Sequence, residues 1–307
     1  MDKIVTLCVN PCVDHVGWAD RVESGRKVRI ERDKYAPGGG GINVAQAAHQ
    51  LGVHALAIYP AAGETGQLLQ HLLADDDIEQ RMIDAPGRTR VNTNIFEASS
   101  GETFRLIMPG PPMTPETASE IVKAVAGAVQ DGSHVVISGS MPAETPAHFI
   151  PKVLNAIQQS GGRVIVDTSG EALRQSIEQG VFMIKPNQRE LAQLTERDLP
   201  DDEAVEHAAL ALVRERAVEV VVVSLGGAGA MLATADGVTR IHAPQVDMQS
   251  PIGAGDSMVA GIVTAMIQGR SLQDSVSYGV AAGAAAVMQP AMELCRKHDA
   301  DELFKAI

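Results

Sequence analysis

Val218-Glu219-Val220-Val221-Val222-Val223-Ser224 is the stretch whose reading decides the fold. A continuous run of β-branched residues fits a central strand buried on both faces, which is how strands sit in a parallel sheet covered by helices. Upstream, short apolar segments at 134–138, 164–167 and 182–185 repeat the theme, each preceded by a helix-length segment of the kind crossover connections require. Further upstream, 4–9, 55–59 and 79–83 read as strands, with helix-like segments at 42–51 and 67–74. Downstream, 230–234 and 238–242 read as a short hairpin, and the apolar run through Ile267 as a buried helix. The expectation is an α/β protein with a mostly parallel central sheet.

Two segments break this rhythm. Between Val13 and Tyr35, polar and apolar residues alternate, as in Arg26-Lys27-Val28-Arg29-Ile30-Glu31, which predicts an antiparallel strand pair with Lys27 and Arg29 on one face. Arg90-Val91-Asn92-Thr93-Asn94-Ile95-Phe96 and Thr103-Phe104-Arg105-Leu106, separated by Ser99-Ser100-Gly101, predict a hairpin on which Arg90 and Asn92 share a face. Together they predict a small β-sheet lid, discontinuous in sequence (about 12–36 and 88–108), on a single domain spanning 1–307.

Composition narrows the partners. The 307 residues carry a net charge of −13 with no Lys/Arg cluster, which argues against nucleic acid and anionic membranes, so any anionic ligand needs local basic residues. No apolar stretch reaches the roughly 20 residues a bilayer requires, and the N-terminus enters a strand-like run without a targeting pattern, so the expected address is the cytoplasm. Cys8, Cys12 and Cys295 fit no zinc or redox spacing and are expected to be buried, reduced thiols.

Polar residues gather where the predicted strands end, at Ser138-Gly139-Ser140, Asp167-Thr168-Ser169, Lys185-Pro186-Asn187 and Ser224-Leu225-Gly226-Gly227-Ala228-Gly229, which is where open α/β sheets bind ligands. Asp14, just past the first strand, is either a grip for polyol hydroxyls or a turn residue. Gly38-Gly39-Gly40-Gly41 leads into a helix, so something approaches that backbone closely; Asn43 there either meets a ligand hydroxyl or caps the helix. Asn187 and Glu190, three apart at a helix start, could organise Mg²⁺ through water. Ser250-Pro251-Ile252-Gly253-Ala254-Gly255-Asp256 opens the apolar helix. Unpaired N–H groups there attract phosphate, and the carboxylate is either a cap or a general base for an attacking hydroxyl. The constellation is the inventory of phosphoryl transfer. A hydrolase elbow at 255–259 is disfavoured because Val259 replaces the second Gly and no strand precedes it. A non-catalytic sugar-binding module would not need Asp256.

Gly38-Gly39-Gly40-Gly41-Ile42-Asn43, Lys185-Pro186-Asn187-Gln188-Arg189-Glu190 and Gly253-Ala254-Gly255-Asp256, in this order over nearly the whole chain, resemble the ribokinase-like (PfkB) carbohydrate kinases. Asp14, Lys27, Arg90 and the four-glycine loop look most like the bacterial minor 6-phosphofructokinase branch, near the tagatose-6-phosphate kinases and 1-phosphofructokinases. The resemblance implies a three-layer α/β/α domain with a β-sheet lid through which a homodimer forms. It also implies ATP- and Mg²⁺-dependent phosphorylation of fructose 6-phosphate at its 1-hydroxyl, with tagatose 6-phosphate or fructose 1-phosphate as alternatives. It makes Asp256 the base and the N–H groups of Gly253, Ala254 and Gly255 the anion hole. It gives Asp14, Gly38, Gly39, Asn43 and Asn92 to the sugar, Arg90 with Lys27 or Arg29 to its phosphate, and a catalytic contact to Lys27. Lys185, Asn187, Ser224, Gly226, Gly229, Ser250 and Ile252 fall to the nucleotide, Asn187 and Glu190 to hydrated Mg²⁺. Three positions depart from the pattern: Gly40 stands where many relatives carry Lys, Pro251 replaces Thr or Ser, and Val287-Met288-Gln289-Pro290-Ala291 lacks an Asn and Gly, which puts potassium activation in doubt.

Overall fold

The computed structural model describes residues 4–215, 218–290 and 292–307; residues 1–3 and Ala291, touched on above, lie outside the described residues. The chain runs β1 (Ile4–Leu7), β2 (Cys12–Ala19), β3 (Arg32–Gly38), α1 (Gly40–Gln50), β4 (Ala55–Ala61), α2 (Gly63–Asp75), β5 (Gln80–Asp84), β6 (Arg90–Glu97), β7 (Thr103–Leu106) and α3 (Pro115–Ala128). It continues β8 (His134–Ser138), α4 (Phe149–Gln159), β9 (Arg163–Asp167), α5 (Gly170–Gln179), β10 (Val181–Ile184), α6 (Gln188–Thr195) and α7 (Asp202–Arg214). The last elements are β11 (Val218–Ser224), β12 (Ala230–Thr234), β13 (Gly237–Ile241), α8 (Ala254–Ile267), α9 (Leu272–Val287) and α10 (Lys297–Phe304).

Nine strands form one sheet in the order β13-β12-β11-β10-β9-β8-β1-β4-β5, parallel from β5 to β11, with the antiparallel β12–β13 hairpin on the edge. The valine run behaves as its composition predicts. Val220 and Val222 pack into one core with α1, α8 and α9, whereas Val221 and Val223 pack into the other with α3, α4 and α7. Strand alternation thus feeds two helical layers from one sheet, a three-layer α/β/α arrangement.

The chain lays β1, β4 and β5 outward in one direction, then returns to set β8 on the other side of β1. That reversal opens a crevice beyond the C-terminal ends of β1 and β8, the place where such sheets bind ligands. The glycine loop lies across it. A Cβ on Gly41 would come within 2.6 Å of the Leu7 carbonyl oxygen, and one on Gly40 would strike Ser138 Oγ and approach the Gly139 amide within 2.6 Å. What approaches this backbone closely is therefore the protein's own strand ends. The same contact accounts for Gly40 in place of Lys, since Ser138 fills the space a side chain would need.

A second sheet, β3-β2-β6-β7, forms the lid. Its outer pairs are antiparallel, but β2 and β6 run parallel with Asp14 opposite Asn92. Asp14, past the end of β1 as expected, therefore lies within the next strand, β2. The alternating segment at 26–31 is not a strand: the second lid strand begins only at Arg32, after an irregular loop that turns at Gly25 (φ 75°). Ile30 of that loop covers Gly17 and Ile95, meeting a Cβ placed on Gly17 at 3.1 Å, as Ile95 does. Contact of one part-exposed isoleucine with Gly17 and Ile95, with Lys27 and Arg29 exposed beside it, accompanies the alternation without a ladder.

Candidate active site

The acid of α8 is not a cap. Gly253 occupies the N-cap in the left-handed region (φ 80°), where a Cβ would also press within 2.7 Å of Leu294 Cδ2, and Asp256 is the third helical residue. Its Oδ2 accepts a 2.8 Å hydrogen bond from Asn43 Nδ2, reaching across from α1. Asn43 does not cap either, because α1 begins at Gly40 with Gly39 as its N-cap. The two side chains that local sequence would fit to capping are bonded to each other, between two helices that both start at the crevice.

Burial drives the Asp256 carboxyl up from its ordinary 3.8 to about 7. The charge of Asp167 adds to this, and the Asn43 hydrogen bond and Lys185 partly counter it. Lys185, 6% exposed just past β10, contacts Asp167 at the end of β9 with Nζ to Oδ1 at 3.0 Å. Burial opposes its charge, but Asp167 outweighs that, with Asp256 and Glu190 contributing, and the ammonium is held above its usual range. A Cβ on Gly255 would sit 3.8 Å from Lys185 Nζ, so the ammonium stands beside the first turn of α8. The N–H groups of that turn have no intrahelical acceptors. Backbone donors, a buried cation and a carboxyl poised near neutrality thus converge at one helix start, an arrangement suited to holding an anion while taking a proton. No motif in the sequence marks Asp167 as a site residue. Its only signal there was its place at a strand end.

On the lid, Asp14 is 6% exposed and Asn92 Nδ2 donates to its Oδ1 at 3.1 Å. Burial raises its proton affinity, and Asn92, Cys12, Arg90 and Arg105 work against that rise. Gly38 pairs with Cys12 and leaves the room that the Asp14 carboxylate occupies. Arg90 donates to the carbonyls of Asn10 (2.7 Å), Met108 (3.2 Å) and Pro11 (3.4 Å), so most of its guanidinium fixes backbone around the crevice. Lys27 and Arg29 are exposed and make no hydrogen bond or ion pair among the described residues. Their shared strand face does not exist. Ile30 beside them packs against Gly17 and Ile95, which by alternation belong to the side of the lid opposite Asp14. All three cysteines are free and buried, as expected.

Asn187 and Glu190 form a reciprocal capping box at α6: Asn187 Oδ1 accepts from the Glu190 amide and Glu190 Oε2 from the Asn187 amide, both at 2.9 Å. The other carboxylate oxygen of Glu190 makes no hydrogen bond or ion pair among the described residues. Ser224 ends β11 bridged to Asn187, and its amide donates to the Pro186 carbonyl at 2.9 Å. Cβ atoms on Gly226 or Gly227 would meet nothing within 4 Å, whereas Gly229 is packed against the chain at 241–243. Ser250 Oγ accepts from the Ile252 amide at 3.2 Å, and the Val287 carbonyl accepts from the Gln249 and Ser250 amides, tying the loop before Asp256 to the end of α9. The strand ends thus offer open glycines and a polar rim along the edge that leads to Asp256.

The chain belongs to the pfkB family of carbohydrate kinases, whose family model matches residues 8–298. It is 36% identical over 305 residues to the ATP-dependent 6-phosphofructokinase isozyme 2 of Escherichia coli strain K12, covering 99% of this chain and 98% of that one. Its structure is similar to those solved for phosphofructokinase-2 from E. coli. The complex with fructose-6-phosphate gives a TM-score of 0.94, the complex with potassium 0.96 and the tetrameric inhibited form 0.95. Each of the three is 36% identical and covers 100% of this chain and 99% of that one.

Proposed function

We propose that this protein is an ATP-dependent sugar-phosphate kinase that converts fructose 6-phosphate to fructose 1,6-bisphosphate. The observation that carries the reading is Asp256, half-buried, bonded to Asn43 and poised near neutrality at a helix start with free N–H groups. In the proposed step Asp256 takes the proton of the sugar's 1-hydroxyl as that oxygen bonds to the γ-phosphorus and the bond to ADP breaks. The N–H groups of Gly253, Ala254 and Gly255, with Lys185, hold the charge on the transferred group, so catalysis is positioning and electrostatics. Asp14, Asn43, Asn92 and the glycine loop would hold the sugar; the open edge from Ser224 through Gly226, Ser250 and Ile252 would take the nucleotide.

Mg²⁺ fits as a hydrated ion. No group of three or more His, Cys, Asp or Glu side chains among the described residues could cage a metal, but the free oxygen of Glu190 suits a hard cation that keeps most of its water. Its chemistry would be to neutralise nucleotide phosphates. Potassium stays within the proposal despite the departure at 287–291, because a relative 36% identical has been solved with it. A kinetic panel of fructose 6-phosphate, tagatose 6-phosphate, fructose 1-phosphate, fructose and ribose, with and without KCl, tests the reading. Fructose 6-phosphate is expected to give the highest kcat/KM; faster turnover of the unphosphorylated sugars would overturn it.

Ile30, Tyr35, Phe104 and Leu106 stand 39–52% exposed on the lid, an apolar surface of the kind that self-association covers. This supports a homodimer through the lid. The relative's inhibited form is tetrameric, so higher assembly on the same unit is compatible with it. Sedimentation should give a dimer that Tyr35→Lys with Leu106→Lys dissociates; an unchanged assembly would rule out the lid. Among the described residues no helix is long and apolar enough to cross a membrane.

A further inference from the structure

The open glycines at the end of β11 are braced from behind by a cation that none of the strand-end motifs contains. Arg240 lies on β13, the edge strand of the large sheet, directly opposite Met231 of β12. Opposite residues in an antiparallel pair project from the same face, and Met231 packs into the core shared with α7, so Arg240 lies on the α7 side. There its Nη2 donates to the Ala228 carbonyl at 3.3 Å, and its Nη1 stands 3.1 Å from Oδ2 of Asp202 in the first turn of α7. The guanidinium thus links α7 to the single 3₁₀ turn at Gly226–Ala228.

That turn has few other holds. The Leu225 and Gly226 carbonyls accept from the Ala228 and Gly229 amides, and the Gly229 carbonyl accepts from the Leu225 amide, which leaves the Ala228 carbonyl to Arg240. A Cβ on Gly229 would come within 2.1 Å of the Ile241 carbonyl oxygen, so the next residue of β13 seats the end of the turn. Gly226, Gly227 and Ala228 are exposed. Glycine loses more backbone freedom on being fixed than any other residue, and a ligand settling on such a turn must order it unless the protein already does. Fold stability does not account for the arginine. Its Nε is buried with no hydrogen-bond acceptor among the described residues, which works against the fold. Asp202 is 68% exposed, so the ion pair is screened, and an acid in the first turn of a helix is favourable without a cation. What the guanidinium does supply is a charge-assisted bond that fixes one carbonyl of the turn.

We propose that Arg240 is a positioning residue for the nucleotide, holding the turn at 226–228 in the shape that receives ATP so that binding does not have to order it. This rests on the reading above, in which the edge from Ser224 through Gly226 takes the nucleotide. Loss of one charge-assisted bond predicts that Arg240→Met raises Kd for ATP, measured by equilibrium titration, by about 3- to 10-fold, with KM for ATP rising in step. KM for fructose 6-phosphate and kcat at saturating ATP stay as in the wild type, because the lid, α1 and α8 carry those functions. Arg240→Lys keeps a donor and recovers part of the affinity. Val238→Ala separates positioning from stability: Val238 packs into the same core two residues further along β13, so its truncation lowers the urea midpoint and leaves Kd for ATP unchanged. Unchanged Kd in Arg240→Met, an equal rise in the KM values for ATP and fructose 6-phosphate, or an equal rise of Kd in Val238→Ala would each overturn the assignment. A wild type that does not bind ATP would overturn it together with the reading beneath it, and would be seen before any variant was made.

Discussion

Asp256→Asn lowers kcat by about 100-fold or more while ATP binding, followed by equilibrium titration, is retained. The amide keeps the shape and the neighbourhood of Asn43 but removes the proton acceptor, so the loss falls on the chemical step. The wild type adds a pH signature. Burial and then Asp167 place the Asp256 carboxyl at about 7, and a base works only when ionised, so kcat/KM should fall as pH drops through about 7. The effect on stability has the opposite sign. A carboxyl whose proton affinity is higher in the folded state stabilises the fold fully below its ordinary 3.8, and that contribution is lost as pH rises through about 7. The site thus gains activity over the interval in which it gives up stability. Asp256→Asn should flatten both profiles. A variant with wild-type kcat would show that the carboxylate takes no proton in the reaction.

Lys185→Met should be the most damaging substitution for the fold of the site. It leaves Asp167, 3.0 Å from the lost ammonium, half-buried without its cation and facing the likewise half-buried Asp256. Removing one partner of a buried pair costs about 3 kcal/mol or more, readable in urea unfolding near neutral pH. Because Lys185 holds the Asp256 carboxyl down, its removal should also move the acid limb of the kcat/KM profile to higher pH. Asp167→Asn tests the opposite arm, taking away a charge that pushes Asp256 up, so the limb should move to lower pH. If the two variants shifted the limb in the same direction, or not at all, the three groups would not be electrostatically coupled.

Much of the fold is written in local pattern. The valines of 218–224, the apolar segments at 134–138 and 164–167 and the hairpin at 230–241 form strands where composition puts them, because strands buried on both faces tolerate only apolar residues. The motifs at 38–43, 185–190 and 253–256 were legible for a related reason: helix starts, tight loops and ligand edges each demand particular residue types, whatever the distance between them in sequence.

What pattern did not determine lies in contacts between distant segments. The alternation at 26–31 mimics a strand, yet the ladder forms six residues later, since pairing depends on what a segment meets and not on its own period. Nothing local marks the parallel pairing of β2 with β6, which sets Asp14 beside Asn92 and Asn94 on one buried polar face of the small sheet. Asn43 and Asp256 each read as a cap in isolation, and only the packing of α1 against α8 bonds them to each other. Asp167 acquires its influence in the same way, by lying next to Lys185 once β9 and β10 pair. The sequence by itself determined the sheet, its two helical layers and the chemical types present at the site. The tertiary structure alone decided which of those groups share a buried space, because proton affinity and ion pairing depend on burial and neighbours brought together from segments more than 200 residues apart, as for Asn43 and Asp256 (|i−j| = 213).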